Sequence, residues 1–272
     1  LYGLPDVGDK PIYLTDEQIR KLNIDEFDVD THNPYKQLIV WDPKDQEIVG
    51  GYRYIVCGGI PIEKMATKEL FLFSEDFVNN YLPFTIELGR SFIQPNYQSS
   101  NLKRKSVFAL DNLWDGLGAL VVKYSKIKYF FGKVTMYTSY DVTARNMLLH
   151  FLHKYFPDND GLVTPITPLD CDKGNKYFVE LFKGLDYKEG YKVLQREIKQ
   201  RGEHIPPLIN SYMNLSSSMR MFGTAINAGF GGVEESGILV KINDIYPEKL
   251  ERHVAPLIAW AQKIRVKWWK NR

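Results

Sequence analysis

The chain has 272 residues, of which 44% are hydrophobic and 25% charged, as in ordinary globular proteins. Its formal net charge of +2 is too small to indicate a nucleic-acid partner. Two cysteines, Cys57 and Cys171, do not make a disulfide framework, and no apolar run reaches the roughly 18 residues that span a bilayer. Because no signal-peptide pattern is found either, we expect a cytoplasmic protein.

The N-terminal third is predicted to begin with a helix and to continue as strands. Thr15, followed three residues later by Gln18, is a capping-box pattern and predicts a helix that begins at Asp16. Short apolar segments then predict four strands, of which the first two form a hairpin around a turn at residues 42–45. The predicted strands are residues 37–41, 47–56, 70–73 and 85–93.

The middle of the chain predicts an α/β fold. Apolar side chains three and four positions apart predict a long amphipathic helix at residues 107–124. A buried strand at 128–138 and a helix at 143–155 follow it. A strand, helix and strand in this order join parallel neighbours, so we expect a central sheet with a parallel section.

The C-terminal part has weaker patterns. Strands are predicted at 187–193 and 238–242, with helices near 207–215 and 247–263. No linker-like segment or internal repeat divides the sequence, and we therefore expect one domain over residues 1–272.

The predicted strand at 85–93 contains two opposite charges, Glu87 and Arg90. Strict alternation would put them on opposite faces of the sheet, unless a bulge at Gly89 changes the register. Charges inside an apolar strand are costly to bury, so they need partners or a catalytic role. An edge strand with a surface ion pair would explain them equally well.

A basic loop follows this strand and precedes the long helix. Lys103, Arg104 and Lys105 lie where the N-terminus of the helix would present free backbone N–H groups. Such a site suits the phosphate of a phosphopantetheine arm or of a nucleotide cofactor. The alternative is a loop whose lysines and arginine simply face solvent.

Four stretches, taken together, resemble a known family. They are residues 28–40, 47–53, 87–98 with the sequence ELGRSFIQPNYQ, and 205–240. In this order they are similar to the GNAT acyltransferases, and most of all to the hemolysin-like branch with ornithine-lipid and glycine-lipid N-acyltransferases, which is related to acyl-homoserine-lactone synthases. The resemblance implies a GNAT-like α/β fold, with a mixed central sheet flanked by helices and residues 203–272 as a family-specific C-terminal part.

The resemblance also implies a reaction. An acyl thioester, usually on acyl carrier protein, would donate a long-chain acyl group, in some cases a 3-hydroxyacyl group, to the amine of a small amino acid. Glu87 matches the family glutamate and would act as the general base, directly or through a water. Arg90 would orient Glu87 or hold a substrate carboxylate. The resemblance implies neither a metal nor a tightly bound cofactor.

Further site residues follow from the same resemblance. Arg53, Asp30 and His32 would lie on the acceptor side. The backbone N–H groups of Phe92 and Ile93 would face the thioester. Gln98, Lys103 and Arg104 would contact the donor's phosphate, and they complete the predicted set. Because residues 98–105 lack the glycines that cradle the coenzyme A pyrophosphate in many acetyltransferases, we expect acyl carrier protein as the partner rather than acyl-coenzyme A.

Two other functions remain open at this point. The first is an acyl-homoserine-lactone synthase, with S-adenosylmethionine as acceptor. The second is a non-catalytic, membrane-associated hemolysin-like protein. Residues 260–272 mix tryptophans with lysines and arginines, which is typical of a helix in the membrane interface. Such a segment predicts peripheral membrane contact, or else a terminal helix docked on the core by its tryptophans.

Overall fold

The computed structural model describes residues 35–97, 103–171 and 174–259, with only the backbone described for 103–110. The strands are β1 (Lys36–Asp42), β2 (Glu47–Val56), β3 (Phe71–Phe73), β4 (Thr85–Ile93), β5 (Tyr129–Met136), β6 (Val163–Pro165), β7 (Arg220–Asn227) and β8 (Val233–Lys241). The helices are α1 (Lys103–Lys123), α2 (Val142–Tyr155), α3 (Lys176–Leu181), α4 (Tyr187–Gln200), α5 (Pro207–Met213) and α6 (Pro247–His253).

Within these residues, six strands form a mixed sheet in the order β1-β2-β4-β5-β8-β7. The β4–β5 pair is parallel, and α1 makes the crossover between its strands, as the sequence predicts. The other neighbours in the sheet pair antiparallel. The strands predicted at 47–56 and 85–93 are confirmed with the same bounds, and so is the α/β class with helices flanking a mixed sheet.

One face of the sheet is covered by helices, and we call it the helix face. Its strands contribute apolar side chains to two clusters with α1, α2, α4 and α5. Trp114 of α1 packs against both clusters and meets Tyr212 of α5 edge to face. Aromatic and aliphatic burial of this kind is the main favourable term in folding.

The opposite face, which we call the second face, is partly covered by the β3–β6 pair and by short turns between Ile62 and Phe84. Phe77 and Phe131 lie at the centre of an aromatic cluster on this face, with ring centroids 5.6 Å apart. Phe73 and Phe222 complete the cluster. This packing holds the turns against β4 and β5.

The prediction of a strand at 187–193 is wrong, because these residues begin helix α4. Asp186 caps α4, and Glu189 completes a capping box. Leu194 and Ile198 are buried at helical spacing. The pattern over seven residues was too short to distinguish a helix from a strand. The capping residues Asp186 and Glu189 would have indicated a helix.

The part of the chain beyond residue 203 adds two strands to the main sheet. β8 pairs along the whole length of β5, from Tyr129 opposite Lys241 to Met136 opposite Glu234. β7, which the sequence did not predict, pairs with β8 at the edge.

Three predicted segments fall partly or wholly outside the described residues. The helix predicted from Asp16 lies outside them, as does the basic segment 260–272. The helix predicted at 247–263 begins as α6, which ends at His253, and a further helical turn covers 255–259. None of the helices within the described residues combines the length and the apolar character needed to cross a bilayer.

Candidate active site

Strand β4 contains a β-bulge shortly after Glu87. Two of its residues, Arg90 and Ser91, stand opposite the single residue Tyr52 of β2. Arg90 has a φ of 51°, in the left-handed region that residues other than glycine seldom adopt. The extra residue in a bulge breaks the alternation of side chains between the two faces of the sheet. The sequence allowed a bulge at Gly89, and the structure has one directly after it, at Arg90 and Ser91, while Gly89 itself stays paired with Arg53.

Strands β4 and β5 pair only through their first halves. Their parallel pairing runs from Thr85 opposite Tyr129 to Leu88 opposite Gly132 and ends there, although both strands continue. A Cβ atom on Gly132 would stand 2.6 Å from the carbonyl oxygen of Leu88. Glycine therefore permits the close approach at the point where the strands separate. Beyond it lies a gap in the sheet.

A cavity occupies this gap and reaches the helix face. The space between its walls, which is partly open to solvent, amounts to about 380 Å³ in total. Its apolar walls come from β4, β5, β8 and α5, and its polar walls lie around the bulge. The apolar lining includes Leu88, Phe130, Val134, Leu208, Ile238 and Val240, and the polar lining includes Tyr52, Arg90, Ser91, Lys133 and Tyr212.

Glu87 lies on the second face, below the point where the gap opens, and is only 2% exposed. Its Oε1 accepts a hydrogen bond of 2.9 Å from the backbone N–H of Thr67, in the turn that follows β2. Burial, and then the negative charge of Glu87, raise the pKa of the nearby Cys57 thiol. The carboxylate is therefore held in one orientation within a closed environment.

Arg53 lies on the same face as Glu87. It is two residues from Ile55, which is the register partner of Glu87, and alternate residues of a strand share a face. Its side chain is buried, with 4% exposure. The structure thus brings the predicted residue Arg53 to the neighbourhood of the predicted base.

Arg90 also reaches the second face, because of the bulge. Burial lowers the pKa of its guanidinium, and the nearby charge of Glu235 acts in the opposite direction. The guanidinium carbon stands 5.8 Å from the centre of the Phe230 ring. Phe230 belongs to the β7–β8 loop and is exposed, so this loop forms one border of the site.

The sequence analysis missed a polar cluster around Glu235. The Lys133 ammonium group forms an ion pair with its carboxylate. Thr135 Oγ1 donates a hydrogen bond of 3.0 Å to Oε1, and Asn227 Nδ2 donates one of 3.0 Å to Oε2. Two adjacent carboxylates, Glu234 and Glu235, near the start of a largely buried strand were the available signal, and it resembles the signal that identified Glu87.

On the helix face, the cavity contains tyrosine hydroxyls and no charged group among its lining residues there. Burial raises the pKa of Tyr52, and the neighbouring hydroxyls of Ser91 and Tyr212 oppose this in part. Burial and the proximity of Tyr52 raise the pKa of Tyr212 well above its usual value. Both phenols are therefore neutral at physiological pH and can donate hydrogen bonds.

The two backbone positions predicted to face the thioester lie at the end of β4. Gln94 donates its backbone N–H to the carbonyl oxygen of Val49 in β2, at 2.8 Å. Successive residues of a strand direct their N–H groups to opposite edges, so the N–H of Ile93 points towards the gap. The N–H of Phe92 points, by the same alternation, towards β2, and its ring is 39% exposed.

The remaining predicted residues cannot be placed in the site. Asp30, His32 and Gln98 lie outside the described residues. Lys103 and Arg104 begin helix α1, but their side chains are not among those described. Among the side chains that are described, no three of the types His, Cys, Asp and Glu form a group suited to a metal ion.

Residues 13–106 match a family model described as an acetyltransferase (GNAT) domain. A glycine N(alpha)-acyltransferase of Phocaeicola vulgatus is 50% identical over 244 residues, which cover 88% of this chain and 74% of that protein. A glycine N(alpha)-acyltransferase of Bacteroides thetaiotaomicron is 52% identical over 244 residues, or 87% of this chain and 72% of that protein.

Among solved structures, an aminoglycoside 6'-N-acetyltransferase complexed with coenzyme A is similar over 78% of this chain and 74% of that chain. Its identity of 9% and TM-score of 0.31 are too low to support an inference. The two relatives, in contrast, are half identical along most of their length. Their similarity and the family match show that this chain is an N-acyltransferase of the GNAT family.

Proposed function

We propose that this protein moves a long-chain acyl group from the phosphopantetheine thioester of an acyl carrier protein to the amine of a small amino acid. The observation that carries the proposal is the gap between β4 and β5, which joins an apolar cavity to the face that holds Glu87. The names of the two relatives support glycine as the acceptor to test first.

The acceptor would bind on the second face. Arg53, Arg90 and Lys133 bring three positive charges to this face, against two negative charges from Glu87 and Glu235. These five groups therefore have a net charge of +1, which suits the carboxylate of an amino acid. Arg90 borders the cavity and is the residue we assign to that carboxylate.

Transfer then needs a base and a group that stabilises the oxyanion. Glu87 takes a proton from the ammonium group, directly or through a water, and the free amine attacks the thioester carbonyl carbon. The carbonyl oxygen gains negative charge, and the N–H of Ile93 lies at the gap to stabilise it. The carbon–sulfur bond breaks, the thiolate takes up a proton, and an amide and a free thiol leave.

The donor would approach from the end of β4 that leads to α1. The loop at 98–105 contains no glycine and has Lys103 and Arg104 at the start of the helix. A basic rim suits the single phosphate of phosphopantetheine and the acidic surface of a carrier protein. The basic, tryptophan-rich residues 260–272 would add peripheral contact with a membrane into which an N-acyl product can pass.

The first experiment offers the protein hexadecanoyl-acyl carrier protein and a pool of amino acids, with products followed by mass spectrometry. We expect N-hexadecanoyl glycine and one free thiol for each amide formed. Glu87→Gln should lower kcat by about 100-fold or more, since general-base catalysis contributes factors of that order. Glu63→Gln is the matched control, because Glu63 is exposed in the turn after β2 and should leave kcat unchanged.

Other outcomes would redirect the proposal. Product from hexadecanoyl-coenzyme A but none from the acyl carrier protein would contradict the proposed donor. Acyl-homoserine lactone formed after addition of S-adenosylmethionine would favour a signal synthase. Unchanged activity in Glu87→Gln would contradict the assignment of the base.

A further inference from the structure

A short turn between β2 and β3, Ala66–Glu69, contacts the proposed base. Both backbone polar groups of Thr67 in this turn have partners. Its N–H donates to Oε1 of Glu87 at 2.9 Å, and its carbonyl oxygen accepts from the N–H of Leu70 at 3.1 Å. The side chain differs. Thr67 is 1% exposed, and its Oγ1 is buried without a hydrogen bond to any residue that the structure describes.

This hydroxyl group needs a partner. A buried hydroxyl without a hydrogen bond costs free energy, and valine would fill the same space without that cost. The thiol of Cys57, which also lies near Glu87, is directed to the carbonyl oxygen of Ile55 at 3.8 Å and does not serve the hydroxyl. A threonine at this position therefore indicates a partner that the described part of the chain does not supply.

A water is the partner that the surroundings favour. Oγ1 of Thr67 is three bonds from the nitrogen of the same residue, and the N–H on that nitrogen is bonded to Glu87, so the hydroxyl and the carboxylate lie side by side. One water spans about 5 Å between two oxygens that it bridges. A water held by Oγ1 can therefore also donate a hydrogen bond to Glu87, and it keeps a further hydrogen bond for the substrate.

The position of Glu87 along β4 gives such a water a role. Glu87 precedes the point where the gap opens, after Leu88, and Arg90, which we assign to the acceptor's carboxylate, is three residues further on. Three residues of extended strand cover about 10 Å. A carboxylate fixed by Thr67 at the start of that distance is set back from an amine held at its other end. A bridging water shortens the path of the proton between them.

We propose that Thr67 holds a water that carries the proton from the ammonium group of the acceptor to Glu87. The ammonium group gives one proton to the water, and the water gives another to the carboxylate. The amine is left with the electron pair that attacks the thioester, and the water is regained unchanged. Thr67 is then a positioning residue. This inference rests on the proposed function, because it takes Glu87 as the base.

The test measures the rate constant of amide formation in a single turnover, with glycine and hexadecanoyl-acyl carrier protein. We expect Thr67→Val to lower it by about tenfold, the usual effect of one hydrogen bond, and Thr67→Ser to restore most of the loss. Thr224→Val is the matched control. Thr224 is also buried, but its hydroxyl already forms a hydrogen bond of 2.8 Å with that of Ser236, so its loss should affect stability and not this rate constant.

Two further readouts distinguish a held water from a packing effect. Two protons move together in the relay, so the wild-type rate constant should fall along a curve as D2O replaces H2O, and closer to a straight line in Thr67→Val. A crystal structure of the wild type should show a water within hydrogen-bond distance of both Oγ1 and the Glu87 carboxylate. The wild-type curve and the wild-type crystal need no variant, so they decide the question even if Thr67→Val does not fold.

Three results would each overturn the inference. They are a straight line for the wild type, a wild-type crystal without that water, and a Thr67→Val variant as fast as the wild type. Failure of the proposed function gives a different result, since Glu87→Gln would then leave the rate constant unchanged. If Glu87→Gln is slow while Thr67→Val is fast, Glu87 remains the base and only the relay through Thr67 is wrong.

Discussion

The two faces of the main sheet differ most where β4 and β5 separate. On the helix face, neutral tyrosine hydroxyls border an apolar cavity. On the second face, which is the other side of the same strands, charges of both signs come together. They belong to Glu87, Arg90, Lys133 and Glu235. Burying the chain of a lipid and deprotonating an ammonium group require opposite environments. The sheet keeps these environments apart, and the gap is where they meet.

Apart from the loss of the base, the largest effect should come from removing a cation of the second face. Arg90→Gln should lower kcat/KM for glycine by about 100-fold, because a charged hydrogen-bonded pair with the carboxylate is lost. The affinity for the unreactive acyl pantetheine amide should not change. Steady-state kinetics and calorimetry check the two parts, with Arg196→Gln on the exposed side of α4 as control. A matching loss of donor affinity would show that Arg90 serves both faces.

The next largest effect, this time on the free energy of unfolding, should come from the cluster around Glu235. Glu235→Gln leaves Lys133 without its ion-pair partner in a mostly buried position. We expect the free energy of unfolding to fall by about 1–3 kcal/mol, as measured by urea denaturation. Glu180→Gln, which breaks the exposed pair with Lys183, should change it by less than about 1 kcal/mol. Equal effects would mean that Glu235 is more solvated than its 2% exposure indicates.

A smaller change should separate donors by chain length on the helix face. Leu208 of α5 lines the cavity, and Leu208→Trp would fill part of it. Relative to the wild type, we expect kcat/KM to fall by about tenfold for hexadecanoyl donors and to change little for butanoyl donors. The short donor is thus the internal control. A uniform loss for both donors would place the acyl chain elsewhere.

The smallest expected effect is on the pH dependence of the unfolding free energy, and it comes from Tyr54 on the helix face. Burial, and then the neighbouring Tyr124, raise the pKa of Tyr54 to about 12. Since this value lies above the unfolded value of about 10, Tyr54 contributes stability below pH 10 and loses it as the pH rises through 12. Tyr54→Phe should therefore reduce the loss of unfolding free energy between pH 10 and 11.5 in urea titrations. An unchanged slope would mean that Tyr54 ionises in the folded protein as it does in water.

The sequence predicted best those features that depend on neighbours in the chain. The strands around Glu47–Val56 and Thr85–Ile93 were predicted from alternation and from the turns beside them, and Glu87 and Arg90 stood out as charges within one apolar run. Helix α4 was predicted wrongly as a strand, because seven residues of pattern do not separate a period of two from one of 3.6.

Features that depend on distant parts of the chain could not be predicted. Lys133 and Glu235 lie far apart in the sequence, and only the pairing of β5 with β8 brings them together. The gap arises because β4 and β5 stop pairing after Leu88 and Gly132 although both strands continue. No pattern within either segment of sequence indicates this. The contact of Tyr52 in β2 with Tyr212 in α5 likewise joins two residues that lie far apart in the sequence.

The separation of β4 from β5 beyond Gly132 also has a consequence for the end of the reaction. The amide would form with its head group on one side of the sheet and its tail on the other, so that the finished product is threaded through the protein. To leave, the product must withdraw either its tail or its head group from the gap. We therefore expect a rapid first turnover followed by a slower steady rate, with detergent micelles or lipid vesicles accelerating the later turnovers by receiving the tail.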